Sequence, residues 1–443
     1  MGAGIDTRAI RLAVYAGQVT LDASALAAGV VFGALLRPGF VDTTPLALLF
    51  IAFVVTNFYL RGYTYIALLI PYRGIVRALG ALLVAFAASL LVSFALKHSE
   101  QISRAAFFTS AAISAAALIA ARLPLAWLVA RLPEGRFVRR MLIVDGAAVA
   151  APAQFEVVDA ELVGIRPDVY DPLMLHHFSR LVSTVDRVVV SCRPERREDW
   201  AIYLKGVGCW GELLIPELHG IAPLGQEPDL GLAGVLVSTN ALDLRSRLFK
   251  RLLDLGFTVP AIVVLSPLLL LIALAVKLDS AGPVLFRQQR MGRGNQLFDV
   301  VKFRSMRVEA SDSDGTRSAS RDDDRITRVG RVIRATSIDE LPQLFNVLRG
   351  DMSLVGPRPH ALGSLAGAHL FWQVDARYWL RHAIKPGITG LAQVRGFRGA
   401  TDHEDDLANR LHSDLEYVTN WSIGRDVAIL CRTLLVVKHS KAY

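Results

Sequence analysis

The sequence RATSIDELPQLFNVLRGDMSLVGPRP, residues 334–359, contains the groups around which the rest of the chain can be organised. Two adjacent acids, Asp339 and Glu340, stand at the predicted start of a helix, and Arg358 lies in a Gly-Pro-Arg-Pro turn that closes the stretch. Free amides at a helix N-terminus bind phosphate oxygens, and the helix dipole keeps a nearby carboxylate ionised. Adjacent acids among arginines therefore indicate a site that binds phosphate and can also attack it.

The two acids are expected to have different roles. Neighbouring residues on a helix point about 100° apart, so Asp339 and Glu340 are poorly placed to share one proton. Asp339 is the candidate nucleophile, because carboxylates can attack phosphorus and form an aspartyl-phosphate. Glu340 is the candidate ligand of a Mg²⁺ ion. The pattern Ser337-x-x-Glu340 also fits a capping box, in which Glu340 would only cap the helix, and the residues alone leave both interpretations open.

Basic residues upstream of the acids supply candidate phosphate ligands. Residues 283–306 alternate like a β-ribbon, and residues 311–324 are typical of a mobile polar loop. Arg328, Arg331 and Arg334 follow at intervals of three, which lines them along one side of a helix. The alternative for these three arginines is a solvated basic face beside lipid head groups. The predicted phosphate- or substrate-binding side chains are Arg290, Lys302, Arg304, Arg334 and Arg358.

Composition indicates a membrane protein. The chain has 443 residues, 53% of them hydrophobic, and a formal net charge of +9. This length corresponds to about three domains. The positive charge suits anionic lipid or phosphorylated substrates, and without a nucleic-acid-binding motif we expect no nucleic-acid partner. Cys192, Cys209 and Cys431 lack CxxC spacing and histidine partners, which argues against a zinc site or a disulfide framework.

Residues 1–135 are predicted to form a four-helix transmembrane bundle. Four apolar stretches, most of them long enough to cross a bilayer, occupy residues 12–36, 46–60, 75–96 and 105–130. Arginines concentrate before the first stretch, between the second and third, and after the fourth, so the positive-inside rule places both ends of the bundle in the cytoplasm. We expect the first stretch to be retained as an anchor rather than cleaved as a signal peptide.

Two features inside the bundle bear on its role. Small residues crowd positions 110–121, which predicts close helix packing. Asp22 is the one mid-span ionisable residue that this reading identifies, and intramembrane charges often mark a transport pathway. The alternative is that Asp22 pairs with a neighbouring side chain.

Residues 136–244 are predicted to form a small Rossmann-like α/β domain. Residues 141–146 and 186–192 are typical of parallel strands, and residues 211–217 suggest another strand. A dinucleotide site needs several glycines at the first strand-to-helix turn, whereas VDGAAVAAP has one. The pattern therefore favours a role in assembly or regulation over nucleotide binding.

Residues 250–278 are predicted to form a re-entrant membrane helix. Residues 255–276 carry no charge and could span a bilayer, but basic residues flank both ends, and a full crossing would export everything that follows. Pro267 lacks the N–H that would bond the Val263 carbonyl, so the helix should kink there. The Ser266 hydroxyl can return to a preceding carbonyl, which makes the break tolerable in lipid. A kinked fifth span is the alternative.

From residue 247 to the end, the chain resembles the bacterial sugar transferase family, the monotopic polyprenyl-phosphate phosphoglycosyl transferases. The resemblance rests on motifs in a fixed order: the Ser266-Pro267 break, FRQQRMG (286–292), KFRSM (302–306), DRITRVGRVIR (324–334), the stretch quoted above, KPGITGLAQVRG (385–396) and DLEYVTNWSIGRD (414–426). The bundle and α/β insert resemble the large members that start exopolysaccharide, capsule or O-antigen assembly. Leu391 departs from the pattern, because many members have tryptophan there.

The resemblance implies an α+β catalytic domain in residues 245–443. The family's acidic pair falls on Asp339 as nucleophile and Glu340 as the acid associated with Mg²⁺, and its phosphate-binding arginines fall on Arg334 and Arg358. The implied enzyme transfers hexose-1-phosphate from a UDP-hexose to undecaprenyl phosphate and releases UMP, through a phosphosugar held covalently on Asp339.

This enzyme would work on the cytoplasmic face of the bacterial inner membrane, as a multi-pass protein. The apolar residues 427–437 would help to set the active site at head-group height. Its partners would be the UDP-hexose, undecaprenyl phosphate and the lipid bilayer, and a homodimer is compatible with the sequence. The sequence does not identify the sugar.

Two other functions remain open at this point. A non-catalytic membrane scaffold could recruit polymer-assembly proteins through the α/β insert, and it predicts that Asp339 and Glu340 are dispensable. A nucleotide-sugar oxidoreductase or dehydratase would need the α/β domain to bind NAD, and the missing glycine fingerprint argues against that.

Overall fold

The computed structural model describes residues 7–35, 44–64, 67–68, 70–95, 103–131, 138–147, 149, 153–221, 234–307, 323–397, 401 and 403–436. Most of the expected mobile loop, residues 311–322, lies outside the described residues. The chain divides into two compact units, Met1–Arg139 and Arg140–Tyr443. Each unit is described by itself.

The described part of the first unit contains four principal helices: α1 (Thr7–Leu35), α2 (Thr44–Tyr59), α3 (Pro71–Ala95) and α4 (Arg104–Ala130). Helices α1, α3 and α4 are long and apolar enough to cross a membrane, whereas the apolar part of α2 is shorter. Many large apolar side chains on these helices face outward, including Leu83, Leu91 and Phe108, each about 70% exposed. The predicted apolar bundle is confirmed, with one helix shorter than the rest.

Small residues bring α1 and α4 close together. A Cβ atom at Gly29 would collide with Ser114, and one at Gly33 would collide with Ser110. The spacing Gly29-x-x-x-Gly33 is the small-residue pattern that lets membrane helices approach closely. The packing role predicted for residues 110–121 is confirmed, and its partner surface is this glycine pair.

Asp22 pairs with a neighbouring side chain. Arg122 Nη2 lies 2.7 Å from Asp22 Oδ2, with both residues buried, and Arg122 Nη1 also donates to the Gly74 carbonyl at 3.2 Å. The sequence reading of Asp22 as the only ionisable mid-span candidate was wrong, because Arg122 lies in α4. Since pairing and hydrogen bonding reduce the cost of burying both charges, this arrangement gives Asp22 a structural role.

The second unit begins with a five-stranded sheet. Its strands are β1 (Arg140–Asp145), β2 (Phe155–Asp159), β3 (Arg187–Cys192), β4 (Trp210–Leu214) and β5 (Gly234–Ser238), in the order β2-β1-β3-β4-β5. The first four strands run parallel and β5 is antiparallel to β4. Helices α5 (Pro172–Val182) and α6 (Arg197–Val207) pack against it. The predicted strands at 141–146, 186–192 and 211–217 are confirmed to within a few residues.

A 36-residue helix, α7 (Leu244–Asp279), leads into the C-terminal part of this unit. The antiparallel ribbon follows as β6 (Leu285–Met291) and β7 (Leu297–Phe303). The remaining elements are α8 (Arg328–Ala335), α9 (Gln343–Arg349), β8 (Ser353–Val355), β9 (Leu365–Ala366), β10 (His369–Leu370), α10 (Phe371–Val374), β11 (Gly387–Thr389), α11 (Leu391–Val394), α12 (Glu404–Thr419) and α13 (Ile423–Val436). The predicted ribbon, the arginine helix and the mixed α/β character are confirmed.

The α/β insert and the C-terminal part share one hydrophobic core. Phe178, Trp200 and Tyr203 of the insert pack in the same buried cluster as Trp372 and Trp379. The Trp379 indole N–H donates to the Val169 carbonyl at 2.8 Å. The expected domain boundary at residue 244 is therefore not a break in packing, and the chain divides into its two compact units after Arg139.

Candidate active site

The acidic pair lies on a single 3₁₀ turn, Ile338–Glu340, rather than on the first turn of a helix. Ser337 precedes it with φ of 55° and makes no side-chain capping bond, and the α-helix α9 starts only at Gln343. The capping-box alternative is therefore wrong. The cause is tertiary, because the Glu340 carboxylate turns to basic side chains from other elements.

Glu340 is held by two cations. Lys302 Nζ on β7 lies 2.9 Å from Oε1, and Arg358 donates to Oε1 at 2.5 Å and to Oε2 at 3.1 Å. Burial alone would raise the pKa of Glu340, but Arg358 and Lys302 outweigh it and hold the pKa well below its usual range. Glu340 thus stays ionised and fixed in place.

Asp339 is in the opposite state. Among the described residues, its carboxylate makes no hydrogen bond or ion pair, and the side chain is half-buried. Burial raises its pKa; Lys302, Arg334 and Arg358 lower it, and Glu340 raises it, with a net shift above the ordinary value. The Asp339 carboxylate therefore has no partner among the described residues, whereas the Glu340 carboxylate beside it is held by two cations. Because its pKa is raised, Asp339 is the more basic of the two.

The turn that carries these acids packs against α7. Ile338 and Leu341 flank the acids and contact a cluster that includes Leu269, Ile272 and Val276 of α7. At the end of α7, Asp279 accepts a hydrogen bond from the Val329 amide of α8 at 2.9 Å. The apolar helix thus positions the acidic pair directly.

Arg290 supports the Gly-Pro-Arg-Pro turn. Its Nη1 donates to the Pro359 carbonyl at 2.5 Å, and the guanidinium also donates to Gln288. Burial, followed by the charge of Arg358, lowers the pKa of Arg290 to about 10. Its charge acts on Lys302, Arg358 and Glu340, so it belongs to the same cationic site.

The other predicted basic residues divide into two groups. Arg334 lowers the pKa of Asp339 through its charge, so it faces the site. Arg304 does not join the acids, because its Nη2 donates to the Ser280 carbonyl at 2.6 Å and to Ser280 Oγ at 2.9 Å, at the end of α7. Arg328 and Arg331, on the same helix as Arg334, are exposed.

Sequence reasoning missed a buried network behind Arg358. Arg381 Nη2 donates to the Arg358 carbonyl at 2.7 Å, and Arg381 forms an ion pair of 2.7 Å with Asp414. Its Nη1 lies 2.6 Å from His360 Nδ1. Burial, and then the charges of Arg381 and Arg410, hold the pKa of His360 well below its usual range. No local pattern marks this network, since Arg358, His360 and Asp414 each lie more than 20 residues from Arg381.

A Mg²⁺ ion fits this site if its other ligands come from a phosphorylated substrate and water. Among the described residues, no group of three or more His, Cys, Asp or Glu side chains could form a metal site on its own. Mg²⁺ in phosphate sites commonly takes one or two carboxylates, with phosphate oxygens and water as its other ligands. Glu340 Oε2 accepts one hydrogen bond from Arg358, which leaves a lone pair for a cation. The residues therefore fit an ion that arrives with a phosphorylated substrate.

The helices and this site define a membrane-associated protein in which the Asp339 carboxylate, unpaired among the described residues, lies close to a group of basic side chains. Residues 245–440 match the family described as bacterial sugar transferase. The chain is 49% identical to two relatives and covers 93% and 86% of their lengths. These matches establish that the chain belongs to this family.

Three relatives illustrate the match. An undecaprenyl-phosphate glucose phosphotransferase of Komagataeibacter xylinus is 55% identical over 185 residues, which are 42% of this chain and 35% of that protein. The exopolysaccharide production protein PSS of Rhizobium leguminosarum bv. phaseoli is 49% identical over 186 residues, 42% of this chain and 93% of that protein. A UDP-glucose:undecaprenyl-phosphate glucose-1-phosphate transferase of Caulobacter vibrioides is 49% identical over 238 residues, 52% of this chain and 86% of that protein.

Proposed function

We propose that this chain transfers hexose-1-phosphate from a UDP-hexose to undecaprenyl phosphate, releasing UMP, as the first membrane step of exopolysaccharide, capsule or O-antigen synthesis. One observation carries the proposal: Asp339 is uncommitted beside Glu340, whose carboxylate is held by Lys302 and Arg358. Four cations around two carboxylates leave the site with net positive charge, which suits a diphosphate. Family membership supports the same reaction.

In the first half-reaction, a carboxylate oxygen of Asp339 attacks the β-phosphorus of the UDP-hexose. A bond forms between that oxygen and phosphorus while the bond to the bridging oxygen breaks, so UMP leaves with that oxygen and its electron pair. In the second, a phosphate oxygen of undecaprenyl phosphate attacks the same phosphorus. The acyl-phosphate bond breaks, and Asp339 returns as a free carboxylate.

The cations supply the electrostatic part of this chemistry. Arg358 and Lys302 are fixed by Glu340, so they are organised before substrate arrives and cost little reorganisation in the transition state. Arg334 and Arg290 add positive charge on either side. Glu340 would hold Mg²⁺, which when bound would neutralise charge on the diphosphate.

Glucose is the proposed sugar. The relatives from Komagataeibacter xylinus and Caulobacter vibrioides have glucose in their names. A relative from Aeromonas hydrophila, 44% identical over 188 residues, is named for N-acetylgalactosamine. Other UDP-sugars therefore belong in the substrate screen as competitors.

The proposed position is the cytoplasmic face of the inner membrane, with α7 as a re-entrant helix. Both ends of α7 contact the same compact unit, which supports this topology. Near its start, Lys250 Nζ forms an ion pair of 2.7 Å with Asp426, and Arg251 donates to the Val347 and Leu348 carbonyls. Near its end, Asp279 bonds to α8. A span with one end on each side of the bilayer would separate these contacts by about 30 Å of hydrocarbon.

The direct test measures UMP release from UDP-glucose without acceptor lipid. We expect a burst of about one UMP per enzyme and a phosphosugar on the peptide that contains Asp339. Asp339→Asn should lower both half-reactions by about a thousandfold or more. Asp299→Asn, which alters an exposed acid on β7, is the matched control and should keep normal turnover.

Two results would contradict the proposal. Without a burst and a trapped phosphosugar, the covalent route fails. If Asp339→Asn retained wild-type turnover, the role proposed for Asp339 would be wrong. A non-catalytic membrane scaffold would then explain the chain better than an enzyme.

A further inference from the structure

A cavity of about 340 Å³ lies at the N-terminal end of α7. Its apolar walls include Leu242, Leu248 and Ile384, and its basic wall includes Arg251, Arg293 and Lys385. These residues come from the start of α7, the turn of the β6–β7 ribbon and the segment before β11. None of them belongs to the acidic site described above.

Two cations of this cavity, Arg251 and Lys385, make no ion pair with any described residue. Arg251 donates to two backbone carbonyls, Val347 O at 2.5 Å and Leu348 O at 2.6 Å, and forms no ion pair within the described part of the chain. Lys385 Nζ has no hydrogen bond or ion pair with any described residue. Both side chains converge over Gly350, where a Cβ atom would lie 3.3 Å from Lys385 Nζ and 3.8 Å from Arg251 Cζ.

Two of the nearby acids already have partners, and exposed Asp351 acts on Lys385 only through its charge. Asp254 lines the cavity, but its Oδ1 accepts hydrogen bonds from Ser353 Oγ at 2.8 Å and from the Leu354 amide at 2.9 Å. Asp426 is paired with Lys250. Burial, and then the charges of Arg251 and Arg293, lower the pKa of Lys385. Clustered like charges of this kind are stabilised by an anion.

This cavity is too far from Asp339 to hold a reacting group. Helix α9 lies between them, because Arg251 contacts its C-terminal carbonyls while the acidic pair precedes its first residue. Seven helical residues extend for about 10 Å, whereas reacting atoms must approach to about 3–3.5 Å. An anion bound here has a role other than acceptor or donor in the transfer.

The apolar surface beside the cavity indicates the source of the anion. Leu248, at its wall, begins a line of exposed residues on α7 that continues through Leu252, Val259 and Val263, which are 44%, 56%, 45% and 66% exposed in that order. Helical spacing places these residues on one face. A soluble phosphate would not use that face, but an acyl chain would.

We propose that the cavity binds the phosphodiester head group of an anionic phospholipid, with an acyl chain along the exposed face of α7. Basic pockets beside membrane helices recognise lipid head groups in this way. Such a lipid would fix the depth of α7, and through Ile338 and Leu341 the depth of the acidic turn.

The test measures binding of fluorescent phosphatidylglycerol to the purified full chain in neutral detergent, with phosphatidylcholine for comparison. We expect the wild type to prefer phosphatidylglycerol, and Arg293→Gln with Lys385→Gln to bind it about tenfold more weakly or worse. Arg166→Gln with Arg180→Gln is the matched control, because it removes the same charge from exposed positions of the α/β insert. This control should bind as the wild type does.

Two outcomes would overturn the proposal. One is undiminished phosphatidylglycerol binding by the Arg293 and Lys385 variant. The other is competition by glycerol 1-phosphate at the same concentration as the lipid, which would make the ligand a soluble phosphate. Both variants should elute from size-exclusion chromatography in detergent as the wild type does, which shows that they fold. Because binding is read without turnover, its result is independent of the proposed reaction.

Discussion

Asp339 and Glu340 are adjacent in sequence, yet their surroundings shift their pKa values in opposite directions. Glu340 meets Lys302 from 38 positions upstream and Arg358 from 18 positions downstream. Asp339 feels those charges without a hydrogen bond, so burial dominates its pKa. A local pattern such as Ser337-x-x-Glu340 could not reveal this difference, because the ion pairs form between distant elements.

The pH dependence of UMP release should report the state of Asp339. The carboxylate must be ionised to attack, so the rate should fall as pH drops through the raised pKa, at a higher pH than an ordinary aspartate of about 3.9 would give. Because the charge of Lys302 lowers this pKa, Lys302→Gln should move the acid limb of kcat/KM to still higher pH. The measurement is kcat/KM for UMP release across the acidic range.

Arg331→Gln is the control for this prediction, since Arg331 is exposed on α8 and does not contribute to the pKa of Asp339. Its acid limb should coincide with that of the wild type. An unchanged limb in Lys302→Gln, whatever the change in rate, would contradict the electrostatic role given to Lys302.

At the scale of elements, the sequence predicted a hydrogen bond within α7 but could not establish the position of this helix in the membrane. Pro267 has no N–H to donate to the Val263 carbonyl, and the Ser266 hydroxyl donates to that carbonyl instead, at 2.8 Å. The predicted return of this hydroxyl to a preceding carbonyl is therefore confirmed. The helix remains helical from Leu244 to Asp279. Whether it returns to the same face of a bilayer stays a prediction, because hydrogen bonding within a helix does not fix where a membrane lies.

Cysteine labelling can test the topology of α7. In a variant without exposed Cys431, single cysteines would replace Thr239 and Ala281, which are exposed on either side of the helix. A re-entrant helix places both on the cytoplasmic face. We expect an impermeant maleimide to label both in inverted vesicles and neither in intact spheroplasts.

Labelling of one position in each preparation would instead establish a fifth membrane span. Gly164→Cys, on the α/β insert where a Cβ meets no neighbouring atom, would report the orientation of each preparation. Its positive φ of 69° makes a non-glycine residue mildly strained, so folding of this reporter would be checked by UMP release.

For the whole molecule, the shared core predicts where the chain tolerates truncation. Residues 140–443 should keep UMP release within a few-fold of the full chain, because they form one compact unit. Residues 245–443 should aggregate, because Phe371, Trp372, Tyr378 and Trp379 would lose their partners in the α/β insert. Burying such side chains contributes about 1.5–3 kcal/mol each, against a total stability of about 5–15 kcal/mol. An assay of UMP release would measure the first result, and size-exclusion chromatography in detergent would measure the second.

A monodisperse, active 245–443 fragment would contradict this prediction. In the Rhizobium leguminosarum relative, 186 residues that match this chain make up 93% of the protein. Replacing Trp372 and Trp379 by polar residues should then partly rescue the short fragment of this chain.

The sequence by itself predicted the apolar helices, the parallel strands, the ribbon and the family, and it identified Asp339 and Glu340 as the candidate acids. These follow from periodicity, charge and short motifs, which act over a few residues. Only the tertiary structure decided that Glu340 is held while Asp339 is free, that Arg304 braces the end of α7, and that Arg381 supports Arg358. It also joined the α/β insert to the C-terminal part in one core. Contacts between residues far apart in the chain decide burial and ion pairing, and no short stretch of sequence contains both partners.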